Sequence, residues 1–145
     1  MQEAVTALRA AFDAVAACDI DLLTRAELSG PLDELETLGC QLPSVSQRLL
    51  ARLQTEATPQ QLGAKSWKDV LTVRWRISAA EANRRLNEAA VLAPRRTITG
   101  GPLPAALPAT AAAQALGLIT SEHVAVIRAA VRKLPGFVDA ATAAQ

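Results

Sequence analysis

Apolar side chains recur every three or four residues at the start of the chain, at Val5, Leu8, Phe12 and Val15, which is the spacing of one face of an α-helix. The tripeptide "SGP" at 29–31 predicts the end of one helix and the start of the next. Pro31 is tolerated in a first turn, and Asp33 and Glu34 suit the positive end of the helix dipole. Leu32, Leu35, Leu38, Leu42, Leu49 and Leu53 carry a second apolar face to about residue 57, with Pro43 predicting a bend or break inside it. Leucines at that spacing are read as core, and two long helices in succession predict an antiparallel hairpin.

After "ATPQQLG" (57–63) the pattern shortens. "AKSWKDVLTVRW" predicts a helix over roughly 66–75 with Trp67, Val70, Leu71 and Trp75 on its buried side. Ser78 followed by Glu81 has the spacing of a capping box, so a further helix starts there. It turns Ala82, Leu86, Ala89 and Ala90 inward and ends before Pro94. Two helices joined by so short a turn form a helix-turn-helix-like unit. A weak echo follows when Ile119-Thr120 is set on Ile77-Ser78. "ATAAAQALG" then stands for the first helix, closed by Gly117, and Thr120 caps a second helix running to about Leu134. In that helix Val124, Ile127, Val131 and Leu134 are the packing positions. The expected architecture is an all-α single domain over 1–145: a long N-terminal helical hairpin, then shorter helices in two helix-turn-helix-like units.

Composition sharpens this in one respect. The net charge is only +1, but it is unevenly divided. Residues 1–57 hold four basic side chains against nine acidic ones, whereas 58–145 hold eleven against five. An acidic hairpin followed by a basic half suggests that the second part meets a polyanion, with a solvated helix surface as the plainer explanation. The uncharged run from Thr97 to Ser121 has the length of a membrane span. Pro102, Pro104 and Pro108 with Gly100, Gly101 and Gly117 would leave backbone groups unpaired in lipid, so it is read instead as an extended crossing stiffened by proline. The N-terminus lacks the layout of a signal peptide, and a cytoplasmic protein is expected.

Catalysis finds little to work with. Cys18 and Cys40 are read as buried free thiols, and His123, the single histidine, as a surface or boundary imidazole in the first turn of its helix. No nucleophile elbow, phosphate-binding glycine loop or cluster of metal ligands is present, so neither catalytic residues, nor a metal, nor a cofactor are expected. Nucleic-acid binding has more support. The second helix of a helix-turn-helix presents its first turns to a groove, and that region offers Asn83, Arg84 and Arg85. Arg74 and Arg76 precede it, and Lys65 and Lys68 lie nearby. Arginine grips phosphate or guanine by its fork, and asparagine reads adenine. Two alternatives stand beside this reading. Arg84 and Arg85 could pair with Glu81 and Glu88 at helical spacing, and Arg95 and Arg96 could stabilise a helix C-terminus rather than touch a backbone.

The succession "SAAEANRRLNEAAVLAPRR", "TITGGPLPAALPATAAAQALGLITSEHVAVI" and "RKLP" resembles the actinobacterial family named domain of unknown function 222, which includes the mycobacterial 13E12-repeat proteins. The long motif TGxPLPxxLPATAxAxxxGxIxxxHVxxI carries the likeness, with Gly101 standing where the family often has an acidic residue. The resemblance implies a domain that commonly precedes an HNH endonuclease module, and so an association with DNA and with mobile or repetitive elements. It supplies no functional residues. An HNH site needs at least two histidines and an asparagine around a metal, so this chain is not expected to be an enzyme. The leading expectation is a non-catalytic DNA-binding or targeting domain. A protein-interaction or homodimerisation module that scaffolds a nuclease is the alternative.

Overall fold

The computed structural model describes residues 1–134. The described chain is mostly α-helical: α1 (Gln2–Ala16), α2 (Arg25–Glu56), α3 (Trp67–Arg74), α4 (Ala79–Leu92), α5 (Pro108–Ala115) and α6 (Ser121–Val131), with one two-stranded ribbon, β1 (Arg95–Arg96) and β2 (Pro102–Leu103). Short 3-10 turns at Ile20–Leu22 and Gln60–Leu62 fill the connections before α2 and α3.

The chain forms two compact units, Met1–Leu35 and the remainder from Glu36. In the first, α1 keeps its apolar stripe but buries no residue, and Val5, Leu8, Phe12 and Val15 are all exposed. The next helix starts earlier than "SGP" suggests. Glu27 accepts hydrogen bonds from the Thr24 backbone N–H at 2.9 Å and from the Thr24 hydroxyl at 2.6 Å, so Thr24 with Glu27 marks the start. From there α2 runs unbroken through Gly30, Pro31 and Pro43 to Glu56. The absence of a Cβ on Gly30 relieves the clash that a proline imposes on the residue before it, and each proline removes only one bond of the helical ladder.

The second unit holds the core. Leu50 of α2 meets Val70 and Leu71 of α3 and Ala82 and Ala89 of α4, with Leu62, Trp67, Ile77 and Leu86 packed around them. A smaller cluster joins Leu92 at the end of α4, Leu107 before α5 and Val124 of α6, with Val91, Ala111, Ile119 and Val131 against it. Both short helix pairs are present, but several inward assignments shift. Trp75, Ala90 and Leu134 are exposed. The largest departure is in α2, whose buried positions are Cys40, Gln47 and Leu50, while Leu32, Leu35, Leu38, Leu42 and Leu49 face solvent. Periodicity locates an apolar stripe, but the helices that follow pack on a different side of it. Of the two thiols, Cys40 is buried and Cys18 is exposed; neither is in a disulfide.

The segment after Pro94 is a β-ribbon rather than an extended crossing. Arg95 pairs with Leu103 and Arg96 with Pro102, antiparallel. The tip closes through the Thr97 N–H donating to the Gly101 carbonyl at 2.8 Å and the Gly101 N–H donating to Thr97 Oγ1 at 2.8 Å, with Gly100 at φ +86. At its base the Leu107 N–H donates to the Val91 carbonyl at 3.0 Å, tying the ribbon to the end of α4.

Gly117 ends α5 as its sequence context predicts, at φ +78, with its N–H and that of Leu118 bonded back to Gln114 and Ala113. A Cβ there would also lie 2.7 Å from Thr37 Cγ2 and 3.1 Å from the Thr37 carbonyl of α2. Gly117→Ala therefore meets both backbone strain and a close backbone neighbour, and is expected to destabilise the second unit by about 1–3 kcal/mol. A thermal or urea melt measures it; an unchanged midpoint would mean that α2 and the turn after α5 are not in contact.

Candidate nucleic-acid interface

The α3–turn–α4 unit is built from two caps and one strained turn. Ser66 Oγ accepts the Asp69 N–H at 3.2 Å at the start of α3, and Ser78 Oγ accepts the Glu81 N–H at 3.1 Å at the start of α4. Between the helices Arg76 stands at φ +54, the only non-glycine residue with positive φ among those described. That conformation is costly for an arginine, and strain of this kind gathers at functional positions. The second half of the expected capping box is missing, because the Glu81 carboxylate turns away from the cap toward two arginines.

Arg84 donates from Nε to Glu81 Oε2 at 2.7 Å, from Nη2 to Glu81 Oε1 at 2.6 Å, and from Nη1 to Glu88 Oε1 at 2.7 Å. Arg85 adds a bond from Nε to Glu81 Oε1 at 2.6 Å. Glu88 is 1% exposed, and its other oxygen accepts from Gln47 Nε2 of α2 at 3.2 Å. Burying a carboxylate is unfavourable unless it is paired and hydrogen-bonded, and here Arg84 and Gln47 supply both. Bonds from Arg84 and then Arg85 hold the Glu81 carboxyl at about 2, against burial, which acts the other way. Those same carboxylates, Glu81 foremost, hold the Arg84 guanidinium more firmly protonated than usual.

The nine positions singled out from sequence thus fall into three groups. Lys65, Lys68, Arg74 and Arg76 surround α3 and the turn, are exposed, and have no side-chain partner among the described residues. Arg84 and Arg85 serve the ion-pair network first: every nitrogen of Arg84 is engaged. Arg95 and Arg96 cap no helix. Both lie on exposed β1, where Arg95 Nε bonds the Pro104 carbonyl at 3.0 Å and Arg96 Nη1 bonds the Gly100 carbonyl at 3.2 Å. A guanidinium has five donors, so each is oriented by one bond and keeps four. Asn83 is exposed on α4, and Asn87, which the sequence reading missed, lies one turn further along the same outer face between Ala80 and Ala90. The i, i+4 spacing of the two asparagines was the available signal.

His123 belongs to a different device. Its Nδ1 accepts the Thr120 backbone N–H at 3.2 Å, while Thr120 Oγ1 accepts the His123 N–H at 3.4 Å, so an imidazole completes a capping box for α6. Among the described residues no three His, Cys, Asp or Glu side chains lie close enough to hold a metal ion, and no helix is long and apolar enough to cross a membrane.

A chiefly helical domain with a basic α3–turn–α4 unit and an arginine-bearing ribbon is the class these features define. The sequence profile described as "Domain of unknown function (DUF222)" matches residues 29–145, and the chain belongs to that family. It is 44% identical over 140 residues to each of two uncharacterized Mycobacterium tuberculosis proteins, MT1160 (strain CDC 1551) and Rv1128c (strain H37Rv). Those alignments cover 97% of this chain but 33% and 31% of the two relatives. A third relative, uncharacterized protein Rv3466 of strain H37Rv, is 41% identical over 130 residues, covering 90% of this chain and 58% of its own. The chain thus spans about a third of the length of the first two relatives. No solved structure matches it.

Two outcomes test the network. Arg84→Ala leaves Glu88 buried without its cation and is expected to destabilise by about 3 kcal/mol or more, whereas Arg85→Ala, which touches only the partly exposed Glu81, costs less than about 1 kcal/mol. Equal losses in urea titrations of the two variants would contradict the geometry. Because the Glu81 carboxyl lies below its usual 4.5 in the folded chain, its contribution is complete above about pH 4.5 and is lost as pH falls toward about 2. After solvent screening this acid limb amounts to about 1–2 kcal/mol. It should be missing from the pH–stability profile of Glu81→Gln.

Proposed function

We propose that the chain is a non-catalytic module that binds duplex DNA. One observation carries this reading: Lys65, Lys68, Arg74 and Arg76 gather around a helix–turn–helix with no acidic partner among the described residues. Unpaired cations in such an arrangement suit phosphate oxygens, and a left-handed Arg76 in the turn is the kind of strain that binding compensates. Arg95 and Arg96 on the ribbon extend the phosphate contacts beyond the end of α4. The outer face of α4, with Asn83 and Asn87, is the part suited to base edges in the major groove. Arg84 and Arg85 act in this reading as supports that hold α4 to α2.

Association with an HNH nuclease module, and with mobile or repetitive elements, rests on the family resemblance and on relatives about three times as long as this chain. In this reading the module targets or positions a nuclease and acts in the cytoplasm, where bacterial DNA lies.

Fluorescence anisotropy with labelled duplex DNA tests the proposal. Micromolar binding is expected, with an affinity that falls steeply with salt, and Arg74→Ala/Arg76→Ala should lower it about tenfold and flatten the salt slope by about two phosphate contacts. Binding that ignores salt, or that survives this variant unchanged, would overturn the assignment.

A further inference from the structure

The outer face of α2 is an apolar stripe that the protomer leaves uncovered. Leu35, Leu38, Leu42, Val45 and Leu49 succeed one another at steps of three and four residues and remain 48, 42, 48, 41 and 47% exposed. Alternating steps of this kind average the 3.5 residues that keep a seam facing a partner helix along its whole length. A contiguous apolar surface of this extent on a soluble domain marks an interface. We propose that it pairs with the same stripe of a second copy of this chain, the two α2 helices running antiparallel about a two-fold axis beside Gln41.

The flanks of the stripe select both the occupant and the direction. Along one side stand Glu34, Gln41 and Arg48, seven residues apart. Laid antiparallel on itself with Gln41 at the axis, this flank brings Glu34 opposite Arg48 of the second copy, and symmetry forms that pair twice. Both side chains are exposed, and neither has an ion-pair partner among the described residues. A parallel pair in register would instead set Glu34 against Gly39 and Arg48 against Leu53, leaving both charges unmatched. The antiparallel register also stacks Leu35 on Val45 and Leu38 on Leu42, so every layer is apolar.

The other flank carries Gly39 and Ser46. Gly39 falls on the axis and faces its own copy. A Cβ there would meet nothing within 4 Å inside the protomer, so no internal contact calls for a glycine in mid-helix, whereas a helix approaching closely from outside does. Ser46 opposes Leu32 of the second copy, beside a groove of about 240 Å³ lined in part by Gly39, Leu42, Ser46 and Trp75. That groove is placed to receive the leucine. Pairing through α2 needs no DNA, and it stands whether or not the basic surface binds one.

Sedimentation velocity of the chain at micromolar concentration gives the first result: a dimer is expected, and a monomer throughout would overturn the proposal. Glu34→Arg alone and Arg48→Glu alone each create two like-charged contacts and should weaken the dimer by roughly tenfold, while the double variant returns it to the original affinity. Both positions are exposed, so circular dichroism should show an unchanged fold. A dimer indifferent to the single reversals, or one that the double variant fails to restore, would exclude the antiparallel α2 seam. Leu42→Glu should yield a folded monomer.

Discussion

The Glu88 carboxylate governs the second unit. It lies on α4, almost wholly out of water, between Gln47 of α2 on one side and Arg84 of its own helix on the other. An unpaired charge at that depth would be prohibitive, so the three side chains hold as a set and fix how α4 lies on α2. That placement has further effects. Gln47 must face α4, which brings Cys40 and Leu50 to the same inner side of α2 and leaves the leucine stripe on the outside. Arg84 must face Glu88, which removes it from the surface, and Glu81 is drawn into the same network along with Arg85.

Where the sequence was legible, local chemistry was sufficient. Ser66 and Ser78 mark helix starts, Gly117 marks an end, and Val70, Leu71 and Val124 fall in the core at their periodic positions. The boundary at residue 25 was also readable, because Thr24 and Glu27 are three apart; the stronger Gly-Pro signal at 30–31 obscured it. What periodicity could not supply was a partner for each face. Leu42 and Leu50 are equally apolar, and only the placement of α3 and α4 makes one surface and the other core. Buried polar groups were less legible still. Gln47, Glu88 and Gln114 read as surface residues by type, and their burial follows from contacts between helices distant in sequence.

The candidate interface shows the same limit at the level of single side chains. "RR" occurs at 84–85 and again at 95–96, and charge counting treats the two pairs alike. They differ in how many donors remain. Glu81 and Glu88 lie within one helical turn of Arg84 and engage all three of its nitrogens, whereas Arg95 and Arg96 meet only backbone carbonyls and stay cationic at the surface. An acidic residue three or four positions away in a helix was therefore the feature that separated structural arginines from available ones. Lys68 has Asp69 as its acidic neighbour, but adjacent residues on a helix do not face each other, and Asp69 is turned to the Ser66 cap.

The division of charge along the chain acquires a physical sense from these placements. On α2, the basic Arg48 and the acidic Glu34 are fourteen residues apart, too far to meet within one helix, so a net count of the acidic half conceals an unpaired charge of each sign. On α3 and the turn the cations are likewise unpaired, but all of one sign. Unpaired charges of both signs on a stripe with two-fold character are complementary to their own copy, while unpaired charges of a single sign require a partner of the opposite charge. The two surfaces therefore ask for chemically different partners, and a dimer formed through the first would present the second twice. Duplicated basic surfaces related by a two-fold axis match the symmetry of duplex DNA itself.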